Sequence, residues 1–177
     1  MRQQEDRYNK KDKGSYSALI KKAKIEGETV KTAKSKYGKY IVTKLKQNVI
    51  EAAWTPPIRT AAKGRGGRIL FLDSEVVPGA FYIETVWVYP RPGEPAGPPT
   101  QAHKHDFDEV LCFFGTNPDD PYDLCGEIEL WLGDEKHTLT RSCIVFVPKG
   151  LMHCPLTVKR ADRPIFEFTT GPGTMYG

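Results

Sequence analysis

Apolar positions in the second half of this chain recur at every second residue, in short runs broken by proline and glycine. Between residues 81 and 89 one face would carry Tyr82, Glu84, Val86 and Val88. The other would carry Phe81, Ile83, Thr85, Trp87 and Tyr89, a β-branched and aromatic mixture typical of strands. A buried apolar run covers 69–72, and further strands are expected at 109–114, 126–132, 143–147 and 165–169. Within 126–132, Glu127 and Glu129 alternate with Ile128 and Leu130, the pattern of a strand with one wet face. Turns are expected at 64–67, at Pro78-Gly79, through 117–123, and at Gly133-Asp134, which reads as a hairpin tip. The stretch 90–99 holds five prolines and cannot be helix, because each proline removes a donor and fixes φ. Many short strands with this punctuation predict an all-β sandwich or barrel.

The N-terminal part changes character. Residues 1–47 contain 14 Lys and Arg against 5 Asp and Glu, a balance of +9; the rest contains 12 against 17, a balance of −5. The chain therefore divides into a basic extension over 1–46, with weak helical character near 16–25, and a barrel domain over 47–177. Lysines interleaved with tyrosines invite comparison with nucleic-acid-binding arms. No aromatic platform or nucleic-acid motif accompanies them, so a solvated face packed through Leu19, Ile20, Ile25 and Ile41 is the simpler expectation. No apolar run is long enough to span a membrane, and the first residues lack the apolar stretch of a secretory signal. Cys112, Cys125, Cys143 and Cys154 form no CxxC pair, which suits reduced thiols. A cytoplasmic protein is the expectation.

The chemistry concentrates in two segments. The first runs from Gly97 through His103, His105 and Glu109 to Gly115, and the second through Pro148, Gly150 and His153. Residues i and i+2 of an extended segment share a face, so His103 and His105 can point together, and Glu109 regains that parity after a bend at 106–108. Pro148-Lys149-Gly150 makes a sharp turn that delivers His153 from another strand. Three imidazoles and a carboxylate are ligands of the right kind for a divalent transition metal. His137 stands apart and reads as a surface residue.

These two segments resemble the paired motifs of the cupin superfamily, small jelly-roll barrels. The first motif is matched from Gly97 to Glu109, with Gly115 one residue early. The second keeps Pro148, Gly150 and His153, with Ser142 in place of its first glycine and Thr157 in place of its asparagine. The resemblance covers about residues 69–170 and implies a jelly-roll (double-stranded β-helix) barrel. It further implies that His103, His105, Glu109 and His153 ligate one divalent ion, with one or two positions open to substrate. Iron is the leading candidate, with Mn, Ni, Zn and Cu accepting the same ligands. The activity so implied is metal-dependent, dioxygenase-type chemistry on a small-molecule substrate. An isomerase or decarboxylase, or a sensory or accessory barrel without turnover, remains open. Pairing into a homodimer is also implied, with residues 39–54 covering a sheet edge.

Other residues carry weaker signals. Glu84 or Glu167 would serve as a general base if its side chain faced inward. Asp106 and Asp108 flank the ligands, either orienting imidazoles or standing in an exposed loop. Arg59, Arg65 and Arg68 would bind a substrate carboxylate if they reached the pocket.

Overall fold

The computed structural model describes residues 35–56, 60–61, 66–92 and 98–172. The helical stretch expected near 16–25, together with Gly97, Arg59 and Arg65, lies outside the described residues. The barrel belongs to a compact unit spanning Lys39–Gly177. Its strands are β1 (Gly67–Leu72), β2 (Tyr82–Val88), β3 (Glu109–Phe114), β4 (Asp123–Leu132), β5 (Glu135–Arg141), β6 (Cys143–Val147), β7 (His153–Ala161) and β8 (Ile165–Gly171). A five-stranded antiparallel sheet has the order β1-β2-β8-β3-β6, and a three-stranded one the order β5-β4-β7. This is an antiparallel double-stranded β-helix, the jelly roll the motifs implied.

Six strands fall where apolar runs and alternation placed them, β1 starting two and β4 three residues earlier than the pattern suggested and β8 running two residues longer. β5 and β7 have weaker patterns. β5 reads Glu-Lys-His-Thr-Leu-Thr-Arg and buries no residue fully, and Pro155 interrupts β7. Both are recruited by β4, which pairs with β5 on one side and β7 on the other. Residues 39–54 form no strand: a 3-10 turn at Gly38–Tyr40 is followed by irregular chain.

The inward side chains of both sheets meet in a core that includes Phe113, Leu124, Ile128, Leu130 and Ile165, all fully buried. Burying a side chain of this size contributes about 1.5–3 kcal/mol. Two turns show why their residues are needed. Gly150 adopts a positive φ of 79°, which other residues resist, and its amide donates to the His105 carbonyl at 2.9 Å. At Gly115 a Cβ would stand 2.0 Å from the Asp123 carbonyl oxygen, so only glycine lets β3 pass β4 there. Ser142, where the motif expects glycine, anchors the same corner: its hydroxyl accepts from the Gly115 amide at 3.0 Å and donates to the Pro121 carbonyl at 3.0 Å.

Candidate metal centre

Main-chain pairing brings the two motifs together. His103 and His153 exchange reciprocal backbone hydrogen bonds of 3.0 and 2.9 Å, and Thr100 does the same with Leu156. The segment 100–103 thereby extends the three-stranded sheet past β7 and sets the two imidazoles side by side, ring centroids 4.2 Å apart. Glu109 opens β3 on the opposite sheet. One potential ligand atom each from His103, His105, Glu109 and His153 lies within 4.8 Å of the others, and all four residues are buried.

The orientation of the rings follows from their outer nitrogens. His103 Nδ1 lies 2.7 Å from the Gln101 carbonyl oxygen and His153 Nδ1 lies 3.2 Å from that of Leu151. A carbonyl only accepts, so each Nδ1 carries the proton and each Nε2 keeps a lone pair turned inward. Asp106 and Asp108 play no part in this. Both are exposed, and Asp108 accepts from the Lys149 amide at 2.8 Å, tying the Pro148–Gly150 turn to the motif loop. Burial, reinforced by the neighbouring imidazoles, lowers the His103 pKa to about 4, so its ring is neutral at physiological pH.

Glu109 is fully buried, which by itself would favour the neutral acid. His105, His153 and the Tyr82 hydroxyl outweigh that and hold its carboxyl at about 2. The Tyr82 hydroxyl donates to Oε1. Oε2 lies 3.0 Å from His153 Nε2 without hydrogen-bond geometry. Both of those atoms, and His103 Nε2, are buried and lack a hydrogen-bond partner. Buried polar atoms are rarely left so, because the lost hydration is not recovered. Ligand atoms gathered this closely inside the protein suit a metal ion, and the donor set fits a divalent one.

Aromatic residues wedge the ligands. Trp54 stacks on His103 with centroids 4.8 Å apart and planes at 13°, and Phe107 stacks on His105 at 4.7 Å and 10°. Trp54 reaches this position on a strap formed by residues 44–56. Its carbonyl accepts from the Gln101 amide at 2.8 Å. Lys46 pairs with Asp73 and Glu75, and Glu51 binds Arg68 through both oxygens. Neither Trp54 nor the Tyr82–Glu109 contact was visible beforehand. Tyr82 shares the inward parity of Glu84, which was its only sequence signal, and Trp54 lies outside both motifs.

A cavity of about 160 Å³ adjoins the cluster. His103, Glu109 and His153 line one side, and Glu84, Val86, Leu111, Glu167 and Thr169 of the larger sheet line another, with Thr55 and Pro56 of the strap contributing. Both candidate glutamates thus face inward, with different surroundings. Glu84 bonds Arg68, a buried guanidinium whose pKa rises above its ordinary value because Glu51 and Glu84 outweigh the burial that opposes its charge. Arg68 is thereby occupied by two carboxylates rather than free for a substrate. Glu167 has no such cation, and burial, with the negative charges of Glu84 and Glu109, raises its carboxyl to about 7. Cys154 also lines the cavity, its thiol pushed up to about 12 by burial, so it is a poor nucleophile. All four cysteines are free.

A two-sheet antiparallel jelly roll with three histidines and a glutamate gathered between its sheets is the arrangement that the two motifs led us to expect. The chain matches no known family profile and no curated protein sequence. Its structure is similar to that of a Klebsiella pneumoniae protein with a double-stranded β-helix domain (17% identity, 66% of this chain and 85% of that one, TM-score 0.40). It is also similar to Bacillus subtilis oxalate decarboxylase (15%, 70% and 29%, 0.44) and to a recombinant oxalate oxidase (12%, 83% and 64%, 0.46). At these identities the likeness concerns the fold. No helix among the described residues is long and apolar enough to cross a membrane.

Proposed function

We propose that the chain is a metal-dependent enzyme acting on a small organic molecule, with His103, His105, Glu109 and His153 holding one divalent transition metal. The observation that carries this reading is the buried convergence of His103 Nε2, His153 Nε2 and Glu109 Oε2, none of which has a hydrogen-bond partner. A bound ion there would supply Lewis-acid polarisation of a carbonyl or enolate and, as iron, redox chemistry with dioxygen. Iron-dependent oxygenation is the reading we favour.

The residues of the chain supply the rest. A cavity of about 160 Å³ suits a molecule of benzene-like size, on the order of six to ten non-hydrogen atoms. Glu167, with a carboxyl near neutrality, is the candidate to hold or release a proton at its carboxylate oxygen. No lysine or arginine is among the described residues that line the cavity. A substrate with a second carboxylate would bring it towards Glu167 without a counter-ion. The wall therefore favours carbonyl- or hydroxyl-bearing molecules with at most one carboxylate.

Elemental analysis of the full chain beside a His103→Ala/His153→Ala variant tests the site. About one equivalent of metal per chain, lost in the variant, is the expected result. A native protein that neither carries metal nor takes it up on reconstitution would overturn the reading. A Glu167→Gln variant that keeps its metal but loses turnover of a keto or hydroxy substrate would establish the proton-handling role.

A further inference from the structure

Three carboxylates face the interior of the larger sheet, and they are not equally compensated. Glu109 sits among the imidazoles and accepts from the Tyr82 hydroxyl. Glu84 holds Arg68, whose remaining donors go to both oxygens of Glu51. Glu167 has no such support: among the described residues its carboxyl meets neither a cation nor a hydrogen-bond donor. The sheet explains this. β8 is an inner strand, so Glu167 lies between Val86 of β2 and Phe113 of β3, with Ile165 and Thr169 beside it on the same face. None of these carries a positive charge. The open side is the cavity, and there Glu167 keeps accessible surface.

An enclosed carboxylate either gains a counter-ion or takes up a proton, because its lost hydration is not otherwise recovered. The raised carboxyl of Glu167, at about 7, is the second response. A ligand can supply the first. Among the described residues no lysine or arginine lines the cavity, and Arg68 is already shared by two carboxylates, so a counter-ion would arrive with the ligand. Two hydroxyls stand ready to accept from it without adding charge. Thr169 is buried and faces the same way as Glu167, two residues along β8. Thr55 lines the cavity from the strap, and its Oγ1 is buried without a hydrogen-bond partner. This end of the cavity is set apart from the metal ligands. Phe113, the cross-strand partner of Glu167, is four residues from Glu109 on β3, which is about 13 Å of main chain.

We propose that Glu167, with Thr169 and Thr55, forms an amine-recognition pole, and that the cavity takes a small molecule with an ammonium group at one end. At its other end that molecule carries a carboxylate, carbonyl or hydroxyl for the metal. The ammonium end is independent of the metal; only the other end rests on the metal-dependent reading. An amine that arrives neutral takes the proton held by Glu167, and an ammonium displaces that proton to solvent. Either way one ammonium faces one carboxylate. Anchoring and proton handling are compatible at Glu167, because the paired groups share the proton that the reaction would use.

Nuclear magnetic resonance titration of the full chain, with the metal content of each sample measured, is the test. Three probes share one carbon skeleton: 3-aminopropanoate, 3-hydroxypropanoate and propanoate. Metal-loaded wild type is expected to bind 3-aminopropanoate on the order of 10-fold or more tighter than propanoate. Glu167→Gln should bring 3-aminopropanoate down to the affinity of propanoate and leave propanoate itself no weaker. Ethylammonium chloride has no group for the metal, and it should bind chelator-treated wild type but not chelator-treated Glu167→Gln. Metal-loaded wild type that treats the three probes alike overturns the proposal without recourse to any variant, as does an amine preference that survives Glu167→Gln. If no sample takes up metal, the proposed metal chemistry fails and ethylammonium alone decides: binding to wild type but not to Glu167→Gln upholds the amine pole, and any other result overturns it.

Discussion

The two sheets of this barrel share one core but distribute their charges differently. β4 follows the common rule: Leu124, Ile128 and Leu130 point inward to the core, while Glu127 and Glu129 face outward among lysines. The larger sheet departs from it on both faces, although Leu111, Phe113 and Ile165 still point into the core. Inward it carries Glu84, Glu109, Glu167 and Tyr82, and outward Trp87, Phe166, Phe168, Ile144 and Phe146. Backbone alternation is the same in both sheets, so the difference lies in what each face meets. Local rules tend to be broken where a structure serves a purpose beyond stability. The inward polarity fits ligands and a cavity.

The largest expected effect breaks the inner side of that comparison. Removing His103 and His153 together should abolish metal uptake while leaving the β-rich circular dichroism intact, because both side chains lie at the edge of the cavity. If the apolar core alone organises this region, the variant would instead lose nothing but stability.

Next comes the buried cation. Arg68→Met would strand Glu84 without its partner inside the barrel, at a cost of about 3–5 kcal/mol in chemical denaturation. Adding Glu84→Leu should recover most of that loss. A double variant as unstable as the single one would mean that Arg68 acts through packing and not through charge.

Glu167 gives a pH signature. Its folded pKa of about 7 lies above the ordinary 4.5, so between those values the folded chain binds more protons than the unfolded one. Stability of chelator-treated protein should then fall as pH rises through that window, and the loss should be complete above it. Glu167→Gln is expected to flatten this slope, raising the melting temperature by several degrees at pH 8 and little at pH 4.5. Equal slopes in the two proteins would place the titration elsewhere. Divalent metal should shrink the effect in wild type, since its charge favours the carboxylate.

The smallest expected effect concerns the strap. Trp54→Ala removes a ring stacked on His103, worth about 0.5–1.5 kcal/mol, and should weaken metal affinity by about 10-fold. Unchanged affinity, read by competition with a chelator, would reduce Trp54 to a cover over the ring.

Much of this architecture is written locally. Alternation placed β2, and short apolar runs placed β3, β6 and β8, because both patterns are properties of neighbouring residues. Proline and glycine marked the turns because they restrict or release φ on their own. The spacing of His103, His105 and Glu109, with Pro148, Gly150 and His153, singled out four residues that the structure gathers within one cluster. Other features depend on contacts between distant segments. β5 and β7 take strand form because β4 pairs with both. Alternation divided β2 into two faces but did not say which was inside, so Glu84 and Glu167 faced the cavity only once the sheets had closed. The carbonyls of Gln101 and Leu151, and not the nearby aspartates, set the imidazoles, a matter of main-chain direction. Trp54 sits some fifty residues from His103 in sequence, and the strap that joins them is held by Lys46 and Glu51 to residues of the barrel. Sequence alone determined which side chains had the chemistry of a site, because residue type and spacing are local. The tertiary structure decided their protonation, partners and faces, because those depend on burial and on charges brought close from elsewhere in the chain.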